Sequence, residues 1–247
     1  MKHLCRHLIE TVIEPKRLLG LAALPSFIHG FFMLRRSGET VRLRDLWPQL
    51  GDRVSHTPFD PHYLYQGAWL ARKLAAQKPT RHWDIGSDSR LMAAISAFVP
   101  IVFSDIRPIK VNLSGFEPRG GDACNLDWTS GSCESLSSLH VIEHIGLGRY
   151  GDPIDRLGAA RACAEFVRVL APTGTLYLTT PVGQPRIQFN AHRIFDPNHV
   201  LTLLAPLTLQ SFSFVDDQGA FHVDANINDA ARLNYGCGMF EFRGPLA

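Results

Sequence analysis

Beyond residue 80 the sequence alternates short apolar runs with longer amphipathic ones, and this alternation constrains the fold more than any other feature. The runs His82–Ile85, Ile101–Phe103, Glu134–Val141 and Thr175–Pro181 predict strands, being short, apolar or β-branched, and bounded by turn residues. Leu91–Val99, Ile154–Leu170 and Pro197–Leu204 predict helices, and Ala171-Pro172-Thr173-Gly174 stops the second of these. Leu209–Val215 and Met239–Phe242 predict two late strands suited to a hairpin pair. Such alternation implies an α/β fold with a mainly parallel sheet covered on both faces. Right-handed crossovers then bring every strand-to-helix turn to one edge of the sheet. Ligands of open parallel sheets bind at that edge, so the strand ends are where function is sought.

Four strand ends carry polar groups. Asp84-Ile85-Gly86-Ser87-Asp88 combines a turn glycine with amides at a helix N-terminus, which suit a polar or anionic group. Asp105 follows the second strand, where one carboxylate can accept hydrogen bonds from two ribose hydroxyls. Asp122-Ala123 pairs an acid with a small residue, and Ser138–Ile145 closes the strand at 134–141. An Asp at a loop start also serves as an N-cap or turn former, so the order of these groups counts for more than any single one.

That order resembles the class I S-adenosylmethionine-dependent methyltransferases over residues 80–245. Asp84-Ile85-Gly86 stands at the glycine-loop position, Asp105 at the ribose-binding acid and Asp122 at the adenine-contacting acid. The run LSSLHVIEHI (Leu136–Ile145) is similar to the fourth-strand motif. The runs TPFDPHYLYQGAW, HVIEHIGLGRYGDP, PVGQPRIQFNAHRIF and YGCGMF resemble an uncharacterised family grouped with these enzymes. The resemblance implies a Rossmann-like, mainly parallel seven-stranded sheet with helices on both faces, plus a helical N-terminal extension. It implies S-adenosylmethionine held by Asp84, Gly86, Ser87, Asp88, Asp105, Asp122, Ala123 and His140. It further implies methyl transfer to a small-molecule or sugar-like acceptor. His144 and His192 are then the catalytic candidates, with Glu143, Arg149, Tyr150 and Arg193 on the acceptor side. The loop departs from the family pattern: Asp84-Ile85-Gly86-Ser87-Asp88-Ser89-Arg90 retains one of three glycines. The alternative is therefore a degenerate methyltransferase-like module that binds or scaffolds without catalysis.

His140-x-x-Glu143-His144 also has the spacing of a zinc hydrolase motif, which requires a helix to set both imidazoles on one face. Gly146 and Gly148 follow at once and disfavour a helix there. A divalent ion on Glu143, His144 and His192 is a further option, and simple bracing of the loop by Glu143 and His144 is another. The leading reading assigns no metal. A dinucleotide oxidoreductase would need G-x-G-x-x-G, where the chain has Gly86-Ser87-Asp88-Ser89-Arg90-Leu91.

The first part of the chain is of a different kind. We divide it into an apolar helical extension, residues 1–55, and a methyltransferase-like domain, residues 56–247. Leu18–Leu34 runs 17 residues without a formal charge, but Pro25, Ser26 and His29 interrupt it. A hairpin of short helices packed on the main domain is expected, with membrane-surface or protein contact through residues 18–34 as the alternative. With 45% apolar and 19% charged residues the chain is neither disordered nor fibrous. A formal charge of +2 argues against a nucleic-acid-coating protein. That sum hides +4 over residues 1–47 and −2 over the remainder. Five scattered cysteines without a CxxC pair fit a reducing, cytoplasmic setting.

Overall fold

The computed structural model describes residues 21–245, and the chain divides into two compact units between Phe59 and Asp60. In the first unit a 3₁₀ turn (Leu21–Ala23) leads into helix α1 (Leu24–Arg36), and a second 3₁₀ turn follows at Leu43–Asp45. The expected helical hairpin is therefore one 13-residue helix over the described part of the segment; Leu18 to Gly20 lie outside the described residues. Pro25 does not break it. It occupies the first turn, where no intrahelical N–H is required and its fixed φ suits the helix. Arg35 and Arg36 occupy the last turn, favourably placed against the helix dipole. α1 buries no residue, and Ile28, Phe32, Met33 and Leu34 are exposed. Among the described residues no helix is long and apolar enough to cross a membrane.

The second unit begins with α2 (Pro61–Gln77), whose first turn is capped by Asp60: Oδ1 accepts from the amides of His62 at 2.9 Å and Tyr63 at 3.3 Å. Strands β1 (His82–Ile85), β2 (Ile101–Asp105), β3 (Phe116–Gly120), β4 (Cys133–Leu139) and β5 (Leu170–Val182) then alternate with α3 (Ser89–Ile95) and α4 (Gly158–Val169). A two-stranded ribbon, β6 (Arg186–Gln188) and β7 (His192–Ile194), leads to α5 (Pro197–Leu203). β8 (Thr208–Val215), β9 (Phe221–His222), α6 (Ile227–Ala230) and β10 (Gly236–Arg243) complete the unit.

The main sheet runs β3-β2-β1-β4-β5-β10-β8-β9. β3 through β5 are parallel neighbours, while β10 is antiparallel to both β5 and β8, the pairing expected of the two late strands. The sheet has eight strands rather than seven, because the two-residue β9 adds to the edge of β8. β3 escapes a hydrophobic reading because Glu117, Pro118 and Arg119 sit on an edge strand, where polar side chains and a missing N–H are tolerated.

Each face of the sheet has its own core. On one, α4 buries Ala159, Ala162, Cys163, Phe166 and Val169 at helical spacing together with Leu136, Leu176, Leu178 and Phe240. On the other, Trp69, Leu70 and Leu74 of α2 and Met92 and Ile95 of α3 pack with Ile101, Phe103, Leu139 and Tyr177. Side chains of this size contribute about 1.5–3 kcal/mol each when fully buried. The chain steps from β1 to β2 and β3 on one side, then returns to β4 and β5 on the other. A crevice consequently opens at the carboxyl ends of β1 and β4.

Candidate functional site

At the end of β1 the sequence turns sharply. Gly86 has φ +69°, and a Cβ there would lie 3.2 Å from both methyl carbons of Val141, so glycine is needed for conformation and for space. Asp84 lies beneath this turn and is fully buried. It accepts from the Ser87 amide (3.1 Å), the Ser87 hydroxyl (2.6 Å) and the Ser137 hydroxyl. Burial nevertheless raises its pKa to about 6, against the pull of those donors. Asp88 caps α3 by accepting from the Arg90 amide at 2.9 Å and pairs with the Arg90 guanidinium at 2.7 Å. Of the four residues expected to bind cofactor in this turn, only Gly86 lines the crevice; Asp84, Ser87 and Asp88 hold the turn in place.

The crevice is lined by Gly86, Asp105, Arg107, Gly121, Asp122, Ala123, His140, His144, Tyr150 and Asp152, with apolar walls from Ile85, Ile106, Val141 and Ile145. Asp105 Oδ1 accepts from the Arg107 amide at 2.7 Å, and no hydrogen bond reaches Oδ2 among the described residues. Asp122 Oδ1 accepts from the Cys124 amide at 2.8 Å. Gly121 lies between these acids, where a Cβ would fall 2.3 Å from Ser104 Oγ. Across the crevice Tyr150 receives two guanidinium groups on its ring, Arg107 at 4.3 Å and Arg149 at 5.0 Å. Asp152 holds this loop by accepting from the amides of Gly146 (2.6 Å), Gly148 (3.3 Å) and Tyr150 (3.2 Å).

His140, Glu143 and His144 occupy a bend and turns after β4, not a helix, which removes the zinc-hydrolase arrangement. His140 itself adopts φ +55°, an uncommon backbone conformation for a residue with a side chain. Its Nδ1 lies 2.8 Å from Glu143 Oε1, and its Nε2 lies 3.3 Å from Cys237 Sγ. Glu143 is fully buried and also accepts from Thr180 Oγ1 at 3.3 Å. Burial would raise its pKa, but the adjacent His140 ring outweighs this and holds it low. His144 places Nδ1 2.7 Å from the Ala191 carbonyl, which favours the tautomer with Nδ1–H donating, and Nε2 lies 3.8 Å from Glu143 Oε1. Burial lowers the His144 pKa.

The remaining sequence candidates stand beside the crevice rather than in its lining. Arg193 donates to the Ile145 carbonyl (2.5 Å) and the Asp155 carbonyl (3.4 Å), and Arg149 to the Ala191 carbonyl (3.1 Å). His192 stacks on Tyr235 at 5.0 Å and meets His144 at 6.3 Å, while its buried Nε2 has no partner among the described residues. Tyr235 also meets His62 at a tilt, 5.1 Å between ring centres, and His62 stacks on His140 at 5.7 Å. Arg107, Asp152, His62, Tyr235 and Cys237 were not singled out from sequence. The last three lie in the runs TPFDPHYLYQGAW and YGCGMF, but nothing local in those runs says they meet His140.

Residues 124–230 match the model of a family described as Caenorhabditis protein of unknown function, DUF268. No curated protein matches the chain. Solved structures with a similar fold include the [4+2]-cyclase SpnF, at 13% identity and TM-score 0.57 over 79% of this chain and 86% of that one. The N-methyltransferase NodS from Bradyrhizobium japonicum WM9, solved with S-adenosyl-L-homocysteine, is similar at 15% identity and TM-score 0.53, over 82% and 95%. The YcgJ protein from Bacillus subtilis is similar at 12% identity and TM-score 0.53, over 74% and 100%. The fold is thus the Rossmann-like α/β fold of S-adenosylmethionine-dependent methyltransferases.

Proposed function

We propose that the chain is an S-adenosylmethionine-dependent methyltransferase acting on a small-molecule or sugar-like acceptor. The observation that carries this reading is the crevice at the switch point of the sheet. There Asp105, with one carboxylate oxygen unengaged, stands with Asp122, Ala123 and two glycines, Gly86 and Gly121, where an added Cβ would crowd Val141 and Ser104. Asp105 is suited to accept from ribose hydroxyls, Asp122 from an adenine amino group, and the turn at Gly86 to approach the methionine end. When bound, S-adenosylmethionine supplies a sulfonium methyl group that transfers by in-line displacement.

The chain's own contribution is positioning. Tyr150, clamped by Arg107 and Arg149, walls the acceptor side. Glu143 and Arg193 act as positioning residues, since both are engaged with the loop itself. His144 holds Nδ1–H on the Ala191 carbonyl and keeps Nε2 able to take a proton from a hydroxyl acceptor. His192, edge-on to it at 6.3 Å, supports the same face.

Isothermal titration calorimetry against S-adenosylmethionine, S-adenosylhomocysteine and NAD tests the reading. S-adenosyl ligands bind, NAD does not, and Asp105→Ala weakens binding at least tenfold. Absence of binding at millimolar ligand, or an Asp105→Ala variant equal to wild type, overturns it. A second reading, binding without turnover, is favoured by the Ser87-Asp88 segment replacing loop glycine and by Asp88 being committed to capping α3. Formation of S-adenosylhomocysteine over an acceptor panel separates the two.

A further inference from the structure

Three side chains from distant parts of the second unit converge beside the crevice. His62 lies in the first turn of α2, His140 at the end of β4 and Cys237 near the start of β10. One ring nitrogen of each histidine and the cysteine Sγ all lie within 4.8 Å of one another, and His140 Nε2 is 3.3 Å from Cys237 Sγ. Zinc bonds of about 2.0 Å to nitrogen and 2.3 Å to sulfur, at tetrahedral angles, place ligand atoms roughly 3.3–3.6 Å apart. A small closure of His62 onto the other two meets that geometry.

Three further observations point to an ion. Nδ1 of His140 is held 2.8 Å from the fully buried Glu143 carboxylate, which orients the ring with Nε2 toward Cys237. A carboxylate behind the far nitrogen is the usual support of a metal-binding imidazole. No side-chain hydrogen bond reaches either ring nitrogen of His62 among the described residues, although it is partly buried between Tyr235, at a tilt, and His140, on which it stacks. His140 is held at φ +55°, a backbone cost that aims its ring at this point.

We infer that His62, His140 and Cys237 bind one zinc ion, with Glu143 as the supporting carboxylate and the fourth position left to water or a ligand. Two imidazoles and a thiolate form a borderline-soft donor set that suits zinc over magnesium or calcium. Three protein ligands with one open position are the arrangement of reactive rather than purely structural zinc sites. The inference does not depend on the methyl-transfer reading.

Full-length protein purified without chelator is assayed for metals, then stripped and titrated with Co²⁺ and Zn²⁺. About one zinc per chain is expected, and the cobalt form shows thiolate-to-metal charge transfer. Cys237→Ser abolishes that band, His62→Asn weakens binding at least tenfold, and Glu143→Gln weakens it by about 10–100-fold. Cys124→Ser leaves the spectrum unchanged. Substoichiometric zinc with no cobalt band, a band that survives Cys237→Ser, or binding of copper alone overturns the assignment. Should a variant unfold, thermal denaturation of the wild-type protein decides: zinc raises the midpoint of the stripped protein if the site is real, and an unchanged midpoint refutes it. Calorimetry with S-adenosylmethionine on the same samples keeps failure of the two readings distinguishable.

Discussion

The imidazole of His82 and the carboxylate of Asp84 are joined by one hydroxyl. Ser137 Oγ lies 2.8 Å from His82 Nε2 and donates to Asp84, while Ser135 Oγ lies 2.7 Å from His82 Nδ1. One proton arrangement satisfies the chain: Ser135 donates to Nδ1, Nε2–H donates to Ser137, and Ser137 donates to the carboxylate. Both groups are fully buried, and burial pushes their pKa values in opposite directions, His82 down to about 3 and Asp84 up to about 6.

The pH dependence follows with its sign. His82 stays neutral in the folded protein and takes a proton on unfolding below pH 6.5, so its contribution is complete above pH 6.5 and is lost as pH falls toward 3. Asp84 runs the other way: its contribution is complete below pH 3.8 and is lost as pH rises through about 6. His82→Asn removes only the first contribution. The destabilisation it causes at pH 7 therefore shrinks on acidification, by at most roughly 1.4 kcal/mol per pH unit. Urea denaturation of both proteins from pH 7 to 4.5 checks this, and a constant difference would contradict it.

Glycine substitutions separate backbone strain from crevice geometry. Gly86→Ala meets the Val141 methyl groups and a positive φ, costs about 1–2 kcal/mol of backbone strain, and weakens S-adenosylmethionine binding at least tenfold. Gly151→Ala carries a similar strain at φ +86° but has no atom within 4 Å, so ligand affinity is retained. Equal affinities for the two variants would show that the Gly86 turn does not touch the ligand.

Arg107 is exposed, so its contact with Tyr150 is worth only about 0.5–1 kcal/mol. Arg107→Ala leaves global stability nearly unchanged but loosens the loop. Amide hydrogen exchange over residues 146–152 accelerates, and unchanged exchange there would deny the clamp.

The core prediction concerns Phe166, fully buried on α4. Phe166→Ala costs about 3–5 kcal/mol, because the cavity it leaves cannot collapse against a packed sheet. A denaturation midpoint shift worth less than about 1 kcal/mol would mean that the helix repacks.

His144 titrates below 6.5, since burial disfavours its charged form more than the neighbouring Glu143 carboxylate favours it. NMR titration of its ring protons reads this directly. A midpoint at or above 6.5 would remove the free base that hydroxyl methylation asks of Nε2.

What the sequence determined by itself was local pattern and its topological consequence. Short apolar-leaning runs bounded by polar or turn residues sufficed to place β1, β2 and β4, and the three-and-four spacing of Ala159, Ala162, Cys163 and Phe166 sufficed for α4. Because parallel strands share one carboxyl edge, it followed that Gly86, Asp105, Asp122 and Ala123 face one crevice. Tertiary structure decided what local pattern cannot encode. Edge position turned the polar segment Phe116–Gly120 into a strand, and packing turned Asp84 inward, away from the crevice. The meeting of His62, His140 and Cys237 depends on contacts between residues 78 and 97 positions apart. No periodicity reports such a meeting, because side-chain direction at the ends of α2, β4 and β10 is set by how those elements pack, not by the residues beside them.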